Sequence, residues 1–592
     1  MRHEPALRVP ALPDGGPGPG ATRLLAELER RCLDLRTRPG AARIDPLFAR
    51  LDDFAARAAE LIEHLSDPAG PQPQARRAFR QAHVDLGKVF IDVERLLALP
   101  ARLGISTVRF SDEMLAATAL MALMAPLRAD ADRLHAVLSQ EVRALLHPGV
   151  DDPIEVQLAD AGCADPVNAA QRLRGWRIAP TDRDAFDALL PGLLARLGQS
   201  RDPDGMLATL DIIVARQPAD IALSTSLRAL IELLGDAPGL SPSLIAQPAL
   251  IRRLIDGSAS APLPPPADLD TEFGHLIGLD DRQAGPSRIA RTVEAHRFGL
   301  GLRLIERTAD PLDLAAAHAR LAEAALRAIA ADALARMRED HGAIPGSDLV
   351  ILALGPFGAG ALTSQSRLDL AYLFTGDRET RSDGRSPLDA DAYYGRAAAR
   401  ISAAMATLHP IASWQPPCPV EGFDAEIRNP IALSRARPVY GPDTARTAAL
   451  AAMRRGLAEP CGIPRRKLAS GPYDVERVRG GLAELDLAVR LNQLGHHAGV
   501  DPKLRTAVGA QVRAGLLDPA AAGAHATLVR LLMVFDLLSP GGGEPTPEQR
   551  PTVARLCGHD HWDGLEADYG AARVIVQESW RAAVARTMAT NG

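Results

Sequence analysis

Aromatic residues make up only 4% of this 592-residue chain, so large planar side chains do not dominate its cores. Its five cysteines, Cys32, Cys163, Cys418, Cys461 and Cys557, are scattered, odd in number and free of any CxxC pair. That pattern excludes a disulfide scaffold and suits a reducing compartment. Positive charge is not in excess either: 67 Lys+Arg stand against 73 Asp+Glu, a net −6, which gives no general field for a nucleic-acid backbone. Long apolar runs are also missing. Leu531 to Phe535, continued by Leu537 and Leu538, falls short of the roughly 20 residues that span a bilayer. The opening MRHEPALRVPALPDGGPGPG has no apolar stretch of signal-peptide length, and its Pro and Gly residues break helices, so residues 1–20 are expected to form a flexible tail. Together these absences point to a cytoplasmic protein with no membrane and no nucleic-acid partner.

What is present is helix-forming sequence. Ala, Leu and Arg dominate long stretches, and these side chains lose little rotamer freedom in a helix. Leu312 to Met337 places Leu314, Leu321, Ala325 and Ala328 on one face, which predicts an amphipathic helix. At 47% hydrophobic and 24% charged the composition is globular, and the length exceeds what a single core supports. The expected fold is mainly α: helical domains carrying one small mixed α/β core. An N-terminal helical region, 21–149, ends at the turn His147-Pro148-Gly149, and a second helical region covers 150–256. The Pro-rich stretch 257–266 reads as a linker, residues 267–460 as the mixed domain, and 461–592 as a C-terminal helical bundle.

The mixed domain contains the one convincing pair of strands, Asp348–Leu354 and Leu368–Phe374. Between them run Gly355-Pro356-Phe357-Gly358 and, after a spacer, Ser366-Arg367-Leu368-Asp369-Leu370. A glycine-bearing turn leaving a strand lets backbone approach a triphosphate, and acids at alternate strand positions share a face where divalent metals can bridge them. That is the arrangement of two-metal phosphoryl or nucleotidyl transfer. Glycines alone carry little weight, since most such turns are only turns.

Ser-x-Leu-Asp-Leu after an apolar strand and a Gly-x-x-Gly turn resembles the signature of the glutamine synthetase adenylyltransferases, members of the DNA polymerase β nucleotidyltransferase superfamily. Collinear segments agree with that family: Ala164–Trp176, Gln199–Asp204, Leu233–Pro238, Ser382–Leu388 with Tyr393-Tyr394, Ile431–Val439 and Arg479–Asp486. The resemblance covers roughly residues 150–592. It implies that 150–256 is the helical region between the family's two catalytic halves and that this chain is similar to the second, adenylylating half. It further implies ATP-dependent transfer of AMP to glutamine synthetase in nitrogen regulation, with ATP and Mg²⁺ as cofactors, and a nitrogen-signalling regulator as a second partner. Carried over by motif, Gly355, Gly358 and Ser366 are the nucleotide-binding positions, and Asp369 is the catalytic metal ligand.

The sequence also departs from the family. Arg367 stands where the first acid of Asp-x-Asp belongs, and a cation supplies no lone pair to a metal. Pro356 replaces the lysine after the first glycine. The later strand with its third acid, of Val-Asp-Met-Arg-Leu-Arg-Pro type, reads as deleted between His409 and Ile431, leaving Glu421, Asp424 and Glu426 as substitutes or as solvated loop carboxylates. Arg367 has two readings: a structural ion pair with Asp369 or another carboxylate, or a phosphate-binding cation. On either, the metal site is incomplete and catalysis impaired. The alternative function is a non-catalytic scaffold for glutamine synthetase or a nitrogen-signalling regulator. Elsewhere, Cys557, His559 and His561 match no usual zinc spacing, and His496-His497 suit a helix end. Glu484 and Asp486, two apart, would not share a helix face, and a supporting role fits them. Ser364 and Ser366 lack a hydrolase context, and the glycines do not complete a dinucleotide fingerprint.

Overall fold

A computed structural model of the chain describes residues 19–591, apart from 39–40, 66–72, 103–110, 147–151, 177, 201, 218–220, 279–283, 424–429, 458–462, 465–470, 497–500, 539–543 and 546–548. The tail expected at 1–20 therefore lies almost wholly outside the described residues, as do the turn 147–149, Asp424, Glu426 and His497. Two compact units result: Met1–Ala215 with Ala222–Ile231, and Arg216–Ile221 with Glu232–Gly592.

The first unit is helical. Pro19–Arg36, Asp45–His64, Pro73–Arg102 and Ser111–Leu146 share a core that includes Leu25, Leu28, Phe54, Phe79, Phe90 and Leu134. The next helix, Pro153–Ala161, shows how the sequence sets its ends. The Asp152 carboxylate accepts from the Ile154 N–H, Pro153 occupies the first turn, where no N–H is needed, and Gly162 closes the helix in the left-handed region.

The second unit is also mainly helical, around a small mixed sheet. The amphipathic stretch read at 312–337 is the centre of helix Pro311–His341, capped by Asp310 through the Leu312 N–H. The Pro-rich stretch has no regular secondary structure from Ala261 to Pro265 and enters helix Pro266–Gly278. It lies inside the second unit, with Ala259 buried and Leu263 packed on the core. Helix Ala521–Leu538 is long and apolar enough to cross a membrane by length and composition, but most of it is buried in the protein as a core helix.

The sheet contains β1 (Leu349–Leu354), β2 (Leu368–Phe374), β3 (Ile411–Pro419) and β4 (Arg437–Tyr440), in the order β3-β2-β1-β4. β1 and β2 are antiparallel from Leu349↔Phe374 to Leu354↔Asp369, whereas β2 and β3 are parallel, with helix Ala390–Met405 in the crossover. Side chains alternate between two cores. Ile351, Ala353, Leu370, Tyr372 and Phe374 face helix Pro311–His341 and helix Ala390–Met405, while Val350, Leu352, Ala371 and Leu373 pack with Phe423, Leu433 and the alanines of helix Asp443–Leu457.

Two sequence expectations are corrected here. The sheet has four strands, not two, and the stretch between His409 and Ile431, expected to have lost its strand, holds β3. Both missed strands are edges and carry prolines, Pro416, Pro417 and Pro419 in β3 and Pro438 in β4. Proline removes a ladder donor, which an edge tolerates and a sequence pattern hides.

Candidate functional site

The site forms where β1 ends and β2 begins. The chain leaves β1 at Gly355, which takes φ of +53°, and makes one short helical turn, Gly355–Gly358. A side chain at Gly355 would place Cβ 2.8 Å from Asp369 Oδ2, so the glycine lets the turn lie directly against that carboxylate. At Gly358 a Cβ would fall 1.8 Å from the Arg435 carbonyl oxygen and 2.7 Å from that of Ala353. Backbone cannot yield there, so Gly358 is demanded by the packing of the turn on the segment before β4.

The polar groups of the turn are largely engaged. The N–H groups of Ala359, Gly360 and Ala361 donate to the carbonyls of Gly355, Phe357 and Pro356, and Pro356 has no N–H at all. The carbonyls of Gly358 and Phe357 also accept from Arg437, at 2.9 and 3.1 Å, and Arg437 is in turn paired with Glu323. The Lys503 side chain passes 3.6 Å from where a Gly360 Cβ would sit, bringing one exposed ammonium-bearing chain across the turn. Ser366 closes a local loop: its hydroxyl oxygen accepts from the Thr363 N–H at 2.9 Å and lies 3.1 Å from the Thr363 hydroxyl.

Asp369 is the one residue of β2 that is not fully buried. Arg367, two residues earlier on the same face, donates from Nε to Asp369 Oδ1 at 3.0 Å, with the arginine side chain 62% exposed and the aspartate 18%. Burial pushes the Asp369 carboxyl above its ordinary value, and Arg367 only partly opposes that. Across the parallel ladder Asp369 stands opposite Ala412. Glu421 lies beyond β3 and is exposed. Among the described residues, no three His, Cys, Asp or Glu side chains converge as metal ligands. With a cation in one position and a methyl group in another, the residues at Asp369 do not fit a pair of divalent ions.

Behind the loop that leads into β2 lies a polar cavity of about 100 Å³ lined by Arg297, His318, Thr363, Gln365 and Asp536. Asp536 accepts from the Thr363 hydroxyl and the Gln365 N–H. His409 donates from Nδ1 to the Ser366 carbonyl at 3.1 Å and accepts from Arg297 at Nε2. Burial, then the adjacent Arg297, pushes His409 down to about 3, so it stays neutral and holds one tautomer. These residues anchor the loop from the rear and were not legible in the sequence, because their neighbours come from distant helices.

The other sequence candidates lie apart. Glu484 accepts from the Gly480 N–H at 2.8 Å, and Asp486 pairs with Arg435 and Arg490, so the two acids serve different partners on helix Leu482–His496. His496 is the last residue of that helix. Cys557 is buried, its thiol pushed up to about 12, and His559 Nε2 sits 3.5 Å from Asp568.

The fold and the turn-and-strand geometry define a mainly α protein with a small mixed α/β core. Residues 227–410 match the family model described as glutamate-ammonia ligase adenylyltransferase. The chain is similar to proteins named bifunctional glutamine synthetase adenylyltransferase/adenylyl-removing enzyme. That from Caulobacter vibrioides is 26% identical over 438 residues, 65% of this chain and 44% of the relative. The Xanthobacter autotrophicus protein is 30% identical over 267 residues, 42% and 27% of the two chains, and that of Mesorhizobium japonicum 28% over 423 residues, 62% and 42%. The chain is thus similar to the glutamine synthetase adenylyltransferases over part of its length, and it spans less than half the length of these curated relatives.

Proposed function

We propose that this chain corresponds to the adenylylating half of a glutamine synthetase adenylyltransferase, that it has lost AMP transfer, and that it acts in nitrogen regulation by binding glutamine synthetase or a nitrogen-signalling regulator. The observation that carries this reading is the pairing of Arg367 with Asp369 beside Ala412. On this reading β3 is the family's third-acid strand with Ala412 at its acidic position, so two of three acidic positions hold no carboxylate; such parts act as a unit, and the remaining acid does not sustain two-metal chemistry by itself. The glycine turn and Ser366 would then serve as a packed remnant, with ATP and Mg²⁺ no longer turned over. A cytoplasmic setting belongs to the same reading, supported by the free buried cysteines Cys32, Cys163, Cys418 and Cys557. So does the division into 21–149, 150–256, 267–460 and 461–592.

The test pairs two assays on purified glutamine synthetase: capture by this chain, and transfer of labelled AMP from ATP with Mg²⁺ or Mn²⁺. Capture with no transfer above background is expected. Transfer that disappears in Asp369→Ala would show a working reduced site and overturn the proposal.

A further inference from the structure

In the first unit, Arg76 and Arg80 lie four residues apart on helix Pro73–Arg102, so both side chains leave the same face. They line a cleft with Arg143, Ser139 and Asp160. The enclosed part of the cleft is small, about 30 Å³, and it opens to solvent. The Nε of Arg76 and that of Arg80 are buried without a hydrogen-bond partner, and among the described residues neither arginine makes an ion pair. The one carboxylate in the cleft is already claimed, since Arg143 donates to both oxygens of Asp160 at 2.9 and 2.8 Å. Three guanidiniums therefore face one acid.

Charge withdrawn from water with too little counter-charge is costly: burial lowers both arginines from their ordinary values, Arg80 to about 10, each is also repelled by a neighbouring arginine, and Asp160, shared with Arg143, only partly offsets this at Arg80. The nearby imidazole of His135, stacked on Phe79 and His83, is pushed down to about 4 by burial and by His83, so at neutral pH the positive charge comes from the arginines alone. The Arg80 guanidinium packs over Gly162, where a Cβ would lie 2.9 Å from its Nη2, so the glycine makes room for it.

We propose that this cleft binds the phosphate group of a small ligand, with Arg76 and Arg80 supplying charge-assisted hydrogen bonds and Ser139 at the rim. A tetrahedral oxyanion offers several acceptors to converging planar forks, and the open mouth leaves room for an ester to project. The site lies outside residues 227–410 and does not depend on the transfer centre.

The experiment is calorimetric titration of the full chain with inorganic phosphate against sodium chloride of equal ionic strength, repeated with glucose 6-phosphate and with acetate. Saturable one-site binding of phosphate is expected, weakened roughly tenfold or more in Arg80→Gln and in Arg76→Gln, as befits loss of a charge-assisted hydrogen bond. Tighter binding of glucose 6-phosphate identifies a monoester as the source, and equal binding identifies the phosphate group alone. Acetate binding as tight as phosphate, no saturable binding, or equal binding by wild type and variants would overturn the proposal. Circular dichroism checks folding; should Arg80→Gln not fold, the less buried Arg76→Gln carries the test.

Discussion

Replacing Arg435 should unsettle the second unit more than any change at the exposed Arg367. The Arg435 side chain is fully buried. It donates to Asp486 at 2.7 Å, to the Gln493 side-chain oxygen at 3.1 Å and to the Asp501 carbonyl at 3.0 Å, while its own carbonyl sits where Gly358 approaches. Burial pushes the guanidinium down more than its acidic neighbours restore it, whereas Asp486, itself raised by burial, is held below its ordinary value by Arg490 and Arg435. The two partners thus pull in opposite directions, as expected of a buried pair whose attraction barely exceeds its desolvation. The pair adds little net stability while intact, but removing one member leaves the other exposed to the full penalty. Breaking such a pair costs about 3–5 kcal/mol, and because Asp486 keeps Arg490 the lower end applies, so Arg435→Ala should cost about 3 kcal/mol. Arg435→Met, which fills the space without the charge, should cost about 1–2 kcal/mol. Urea unfolding followed by tryptophan fluorescence, with Trp562 and Trp580 reporting on the second unit, measures both. A loss below about 1 kcal/mol in Arg435→Ala would refute the reasoning.

Three further outcomes follow from the same geometry. Asp369→Asn should leave the melting temperature at pH 7 unchanged or raised, because it removes a carboxylate that burial disfavours and a half-exposed ion pair worth about 0–1 kcal/mol; a clear drop would assign Asp369 a stabilising role. Gly358→Ala should destabilise more than Gly355→Ala, since the first meets a fixed carbonyl and the second a movable carboxylate plus a left-handed φ costing roughly 1–2 kcal/mol; differential scanning calorimetry of the two variants gives the order. Acid should weaken the second unit partly through Asp486. Its folded value is depressed, so its contribution is present above the unfolded value of 3.8 and is lost as pH falls through the lower folded one. Asp486→Asn should flatten the stability profile below that point.

Much of this was legible in residues that interact locally. The amphipathic 312–337 pattern, the apolar strands around Gly355 and the Arg367–Asp369 spacing all depend on neighbours in sequence. The edge strands were not legible: β4 is four residues around Pro438, and β3 contains three prolines, so its identity rests on pairing with β2 rather than on propensity. Those prolines led to the expectation of a deleted strand, where the structure has β3. The rear anchoring of the loop by Arg297, His409 and Asp536 is likewise tertiary, since residues far apart in the chain meet only once the helices pack. Gly358 was read as a phosphate-turn residue, and its closest neighbour proves to be the backbone of Arg435.

The central claim is that Arg367 and Ala412 disable an otherwise intact frame, and restoring both acids tests it most directly. Labelled-AMP transfer from ATP and Mg²⁺ to glutamine synthetase should be absent in the wild-type chain and should emerge in the Arg367→Asp/Ala412→Asp double variant. Transfer by the wild-type chain that is abolished by Asp369→Ala would contradict the account.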